Sequence, residues 1–243
     1  MFAYWRVTLV AILVLPLTID CSKSTRTECP LRTPKADEEA ELIALCLSGE
    51  LVAPDGLYEQ VRRDLAGIRA TFGDTSEWIN QIKFLPPWVP GNLLIGFDET
   101  AFQLIRDGQY HAWDSLNQQY QATDMDTIPF SSGGVVLLMF QGRLHPWRLV
   151  ELYEDLPGVW AIHPNGRIGD WSSVYARQAS GGMTYLFRHG WGDCPSGCIY
   201  SEFWYFRVDD NWPMFVGHWV PHEEPNVPEW WEEARLNREH YCD

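Results

Sequence analysis

The residue types best suited to chemistry are concentrated in Arg188-His189-Gly190-Trp191-Gly192-Asp193-Cys194-Pro195-Ser196-Gly197-Cys198. Two readings compete there. A nucleophilic site would set His189 and Asp193 beside a thiolate at Cys194, which needs access and a depressed thiol pKa. A second cysteine four residues on favours the other reading. Pro195 and Gly197 permit the chain reversal that brings two sulfurs together, so Cys194 and Cys198 are expected to form an inert disulfide. Asp193 then serves to satisfy loop N–H groups. A second candidate is His218-Trp219-Val220-Pro221-His222, followed by Glu223 and Glu224. On a helix the two imidazoles would share a metal, but Pro221 opposes a helix. On a strand they would stand about 13 Å apart, too far for one ion. His111, His145, His163 and His240 are scattered, and Ser196 lacks the G-x-S-x-G setting of a nucleophile elbow. No residue is therefore assigned as catalytic, metal-binding or cofactor-binding. Trp191, Asp193 and Trp204 are the candidates for facing a ligand.

Composition narrows the classes. The chain has 243 residues, is 46% hydrophobic and 21% charged, and carries a formal net charge of -15. That charge, with no Lys/Arg cluster after the N-terminus, argues against nucleic acid and anionic lipid as partners. Met1 to Arg6 followed by the uncharged run Val7–Leu17 has the form of a bacterial secretory signal, too short to span a membrane comfortably. Export to the periplasm, outer surface or exterior is expected, and with it disulfide chemistry. Cys21 is a candidate lipid-attachment site, although Asp20 before it is not the usual small residue. Of the other cysteines, Cys29 and Cys46 form a plausible pair, and Cys242 is left odd if Cys21 is lipidated or removed. No second closely spaced Cys pair exists for a zinc site. The chain has 13 tryptophans, mostly expected in the core, with some available to line a groove for sugars or peptides.

The elements that would position these residues follow from periodicity and turn signals. Residues 1–21 read as signal, 22–36 as tether and 37–85 as a helical segment. In that segment Leu57, Val61, Leu65, Ile68 and Phe72 recur at steps of three or four. Pro86 to Gly91 reads as a boundary. From residue 92 the order is strand 92–97, helix 100–120 broken at Gly108, strands 123–130 and 134–140, helix 145–156 and strand 159–163. This β-α-β-β-α-β order predicts an α+β fold with a ferredoxin-like core over 92–165. Residues 166–220 predict an antiparallel meander with strands at 171–177, 183–187, 199–208 and 214–220. About 55 residues make a thin core alone, so the meander is expected to extend the first sheet. The tail 221–243 is acidic and rich in Pro and Trp, with a short helix near Trp230 and Trp231.

Leu156-Pro157-Gly158-Val159, followed after four residues by Pro164-Asn165, resembles the end of the propeptide domain of subtilisin-like serine proteases. The resemblance covers residues 92–165. It implies a ferredoxin-like fold and, for function, inhibition of such a protease. None of that family's catalytic Asp, His or Ser motifs occurs in the chain, and the β structure after residue 166 has no counterpart in a propeptide. The Arg188–Cys198 stretch resembles a glycine-rich, Cys-containing turn of secreted bacterial proteins of unknown role. The expectation is a non-enzymatic secreted or surface-associated protein that binds a protein or glycan through its sheet or sheet edge. Its sharpest form is an inhibitor. The alternatives are a carbohydrate-binding module of the cell envelope and a hydrolase, since paired carboxylates can meet in space without a sequence signature.

Overall fold

The computed structural model describes residues 33–239 and Cys242. The signal segment with Cys21, and the tether as far as residue 32 with Cys29, lie outside the described residues. The fold class is α+β, with seven helices and two four-stranded antiparallel sheets among the described residues.

The helical segment forms α1 (Glu38–Ser48), α2 (Asp55–Phe72) and α3 (Glu77–Gln81). Asp37 caps α1, its side chain accepting from the Ala40 N–H at 3.1 Å. The apolar stripe of α2 buries Val61, Leu65 and Ile68, as its spacing predicts. Arg69 of α2 makes a two-pronged contact with Glu39 of α1 at 2.7 and 2.8 Å, which fixes the helix pair.

The first sheet comprises β1 (Trp88–Asp98), β2 (Ala122–Phe130), β3 (Gly133–Phe140) and β4 (Val159–Gly166), in the order β2-β3-β1-β4. Between them lie α4 (Glu99–Arg106), α5 (Asp114–Tyr120) and α6 (Pro146–Tyr153). Two boundaries differ from expectation. Strand β1 starts at Trp88, within the expected boundary segment, because Trp88 pairs with Gly166 across an irregularity that accommodates Pro90 and Gly91. Strand β4 continues through Pro164, which pairs with Leu93. Proline is tolerated there because β4 is an edge strand, with no neighbour awaiting its missing N–H. Leu93, Ile95 and Phe97 of β1 and Val136, Leu138 and Phe140 of β3 form one core with Phe102, Ile105, Leu149 and Tyr153 of the helices.

The meander is β5 (Ser173–Ala179), β6 (Gly182–Trp191), β7 (Tyr200–Asp209) and β8 (Trp212–Trp219), in sequential order. It does not extend the first sheet, which corrects the sequence expectation. The thin core that motivated that expectation is completed from elsewhere. One face of the meander packs on α1, α2 and α3 through Tyr185, Phe187, Trp204 and Phe206. The opposite face packs on α7 (Trp231–Glu239) through Tyr175, Leu186, Phe203 and Tyr205. Helices at one end of the chain thus share a core with strands at the other, with residues 88–166 between them in sequence. A disulfide joins Cys46 at the end of α1 to Cys242. Cys46 therefore does not pair with Cys29, and Cys242 is not odd. Cys194 and Cys198 are bonded, as their spacing predicts. Among the described residues no helix is long and apolar enough to cross a membrane.

Candidate functional site

Strand alternation gives the first sheet two unlike faces. One carries the core beneath α4, α5 and α6. The other carries Leu94 of β1 and Val135, Leu137 and Met139 of β3, all half-buried and none of them part of the core cluster that the helices join. Register places Leu94 beside Leu137 and His163, and Val135 beside Ile128 of β2. Gly96 lies within this face, and its missing side chain is the reason Trp160 can lie flat on it. A Cβ there would sit 2.8 Å from the indole ring. Trp160 remains 64% exposed, so its outer surface is offered to whatever meets the sheet. Asp124 and Asp126 of β2 set an acidic margin. Strand β2 is an edge and is exposed from Thr123 to Phe130, with Met125, Ile128 and Phe130 among its outward residues. An edge of this kind presents unpaired backbone groups to an incoming strand.

The chain reversal before β4 is held from both sides. Gly158 adopts a φ of 80°, which only glycine takes at little cost. Its carbonyl accepts from the Asp98 N–H at 2.8 Å, and Tyr110 donates to the Pro157 carbonyl at 2.7 Å. The Leu156–Val159 corner therefore seats β4 against β1 and delivers Trp160 onto the sheet.

A second constellation lies on the second sheet beside α3. His189 of β6 and Glu202 of β7 are register partners. Glu202 Oε1 accepts from His218 Nε2 of β8 at 2.7 Å, and its other oxygen stands 4.0 Å from His189 Nδ1. A carboxylate thus sits between two imidazoles contributed by neighbouring strands. Burial pushes the His189 imidazole below its usual range, while Glu202 and Glu77 oppose that shift. The ring of His189 stacks on Trp78 of α3 at 3.7 Å and on Trp191 at 5.1 Å. Trp191 meets Tyr200 and His222 in turn. Such a group can accept a hydroxyl proton at Glu202 and offer ring surface to an apolar ligand face. Among the described residues no group of three His, Cys, Asp or Glu side chains is placed to hold a metal ion.

The residues singled out from sequence are distributed unevenly over these sites. Trp191 belongs to the aromatic row and is half-buried. Trp204 does not face a ligand. It is 4% exposed within the core under the helices, because the Trp204–Phe206 side of β7 is the side α2 covers. Asp193 is exposed, and its backbone carbonyl accepts from the Ser196 N–H. His189 turns to Trp78 and Glu202, so the polar pair of His189 and Asp193 beside Cys194 does not form. The loop is anchored instead by the Asp170 N–H, which donates to the Cys194 carbonyl at 2.8 Å. The Asp170 carboxylate grips the buried guanidinium of Arg188, which also reaches Ser201 Oγ at 2.9 Å. Glu202 and Trp78 escaped sequence reasoning, and Trp160 entered it only among the tryptophans expected mostly in the core. Each acquires its role from a partner on another element, and only the Gly96 gap in β1 gave a local signal for a large ring nearby. Compared with family models, curated proteins and solved structures, the chain matches none.

Proposed function

We propose that this chain is an exported, non-enzymatic binding protein that receives a protein partner on the uncovered face and β2 edge of its first sheet. The observation that carries this reading is the apolar strip Ile128–Val135–Leu137–Leu94 with Trp160 laid across Gly96, on the face opposite the core that α4, α5 and α6 cover. A contiguous apolar surface on a folded chain is a common mark of an interface. The antiparallel order β2-β3-β1-β4, with α4 and α6 on one side, supports a ferredoxin-like reading of residues 88–166. The Leu156–Val159 corner supports the resemblance to protease propeptides, and two disulfides accord with export.

The test is titration of the purified chain against a panel of subtilisin-like proteases, with residual activity as the readout. Stoichiometric inhibition without rapid cleavage is expected, weakened at least tenfold by Trp160→Ala together with Leu137→Asp in a variant that keeps its far-UV spectrum. A panel left fully active by intact chain refutes the inhibitor form of the proposal.

A glycan reading rests on a separate observation, the row Trp78, His189, Trp191 and Tyr200 beside Glu202. Aromatic faces with a carboxylate acceptor suit a hydroxyl-rich ligand. Loss of glycan retention in Trp191→Ala, with inhibition unchanged, separates this reading from the first.

A further inference from the structure

We infer that the cleft between the Leu85–Pro87 segment and the approach to β5 is a binding site for an acidic sugar, with its carboxylate held by Arg167 and Arg238. The cleft has a volume of about 250 Å³ and is lined by both arginines, Trp171 and Tyr175. Its electrostatics run against those of the molecule. The chain as a whole is at -15, with only 18 Lys and Arg against 33 Asp and Glu. Most described cations have a carboxylate close by, as with Arg69 on Glu39 and Arg143 on Glu41. Among the described residues neither Arg167 nor Arg238 makes an ion pair, yet the two line one cavity.

The one carboxylate in that wall does not neutralise them. Asp170 is engaged by both terminal nitrogens of Arg188, which is only 2% exposed. The Arg188–Asp170 pair is neutral as a unit, so the cleft retains two positive charges. Arg238 is also positioned, its guanidinium lying 5.8 Å from the centre of the Tyr175 ring. A planar guanidinium fork matches the two oxygens of a carboxylate better than it matches a spherical anion.

Size and apolar surface specify the rest of the ligand. At about 250 Å³ the cleft lies below the roughly 300–1,000 Å³ that encloses a drug-sized ligand, so it takes one ring or head group. The Trp171 indole is 44% exposed and is fixed by donation of its N–H to the Ile168 carbonyl at 3.2 Å. Its open surface suits the C–H face of a pyranose. A larger cleft of about 810 Å³ shares Leu85, Pro86 and Arg167 with this one, and its other walls carry Asp37, Glu38, Glu39 and Glu59, so a sugar attached to the bound residue would enter it only as a neutral one.

This site is independent of the sheet-face reading, and the failure of either leaves the other standing. The test is calorimetric titration of the full chain with sodium galacturonate, using galactose, sodium acetate and sodium sulfate as comparison ligands. Galacturonate is expected to bind at least tenfold more tightly than any of the three. Arg167→Gln and Arg238→Gln should each weaken it at least tenfold, and Trp171→Ala should weaken galacturonate without changing acetate. All three side chains are exposed, so the variants are expected to keep the parent melting temperature. Equal binding of sulfate and galacturonate, indifferent to Trp171→Ala, overturns the assignment of a sugar. Absence of galacturonate binding, or binding unaffected by both arginine substitutions, overturns the site.

Discussion

His145 shows how strongly a single buried residue can tie this chain to pH. It precedes α6, is 2% exposed, and neither ring nitrogen has a hydrogen-bond partner among the described residues. Burial is the main cause that lowers its pKa from 6.5 to about 4, with Arg148 adding and Glu151 opposing. The unfolded chain takes up this proton below pH 6.5, whereas the folded chain resists it until about pH 4. Stability is therefore full above the upper value and falls as pH drops between the two. From pH 7 to pH 5 the expected loss from this group is about 2 kcal/mol. Urea denaturation at the two pH values measures it, and His145→Leu should flatten the difference. An equal slope in the variant would assign the pH dependence to other groups. A lone histidine before a proline gave no sign of this in the sequence. The burial behind the shift is tertiary: the Trp88 ring, 57 residues earlier in the chain, lies with its centre 5.1 Å from the imidazole.

At the scale of elements, most helices and strands follow from local rules, while their partners do not. The α2 stripe and the α4–α5 break at Gly108 were readable from spacing and turn chemistry. So were the β2–β3 hairpin and the strands of the meander. What α7 does was not readable, because its short length and charged sequence specify only a helix. The structure docks it on the second sheet through Asn237, whose side chain donates to the Tyr175 and Thr184 carbonyls at 3.0 Å each. Its oxygen accepts from Thr184 Oγ1 at 3.2 Å. Asn237→Ala leaves these buried groups unmatched and should cost about 1–3 kcal/mol. Amide exchange should rise first in α7 and the adjoining part of β5. Uniform acceleration throughout the second sheet would show that Asn237 supports the sheet itself and not the docking of α7.

For the molecule as a whole, the organising feature is that α1–α3 and β5–β8 form one core although some 90 residues separate them in the chain. The Cys46–Cys242 disulfide joins the two ends of that unit across 196 positions. A crosslink closing so long a loop restricts the unfolded chain strongly, and removing it should lower stability by about 2–5 kcal/mol. Thermal unfolding of Cys46→Ala/Cys242→Ala measures this. The Cys194–Cys198 pair closes a loop of separation 4, so the corresponding double variant should melt much closer to the parent.

Residue types and local spacing were enough for the α+β class, most element positions, the tight Cys194–Cys198 disulfide and the chain's acidity. These properties depend on residue type and on neighbours a few positions away, where periodicity, turn chemistry and charge act directly. Three-dimensional packing was needed to establish that the meander is a sheet of its own, that Cys46 pairs with Cys242, and that Trp204 is core. It alone brought Trp160 onto Gly96, Glu202 between His189 and His218, and Arg167 beside the same cleft as Arg238. The physical reason is shared by all of these. Apolar burial is non-directional and indifferent to sequence separation, so strand periodicity can mark which side chains share a face but not which helix will cover it.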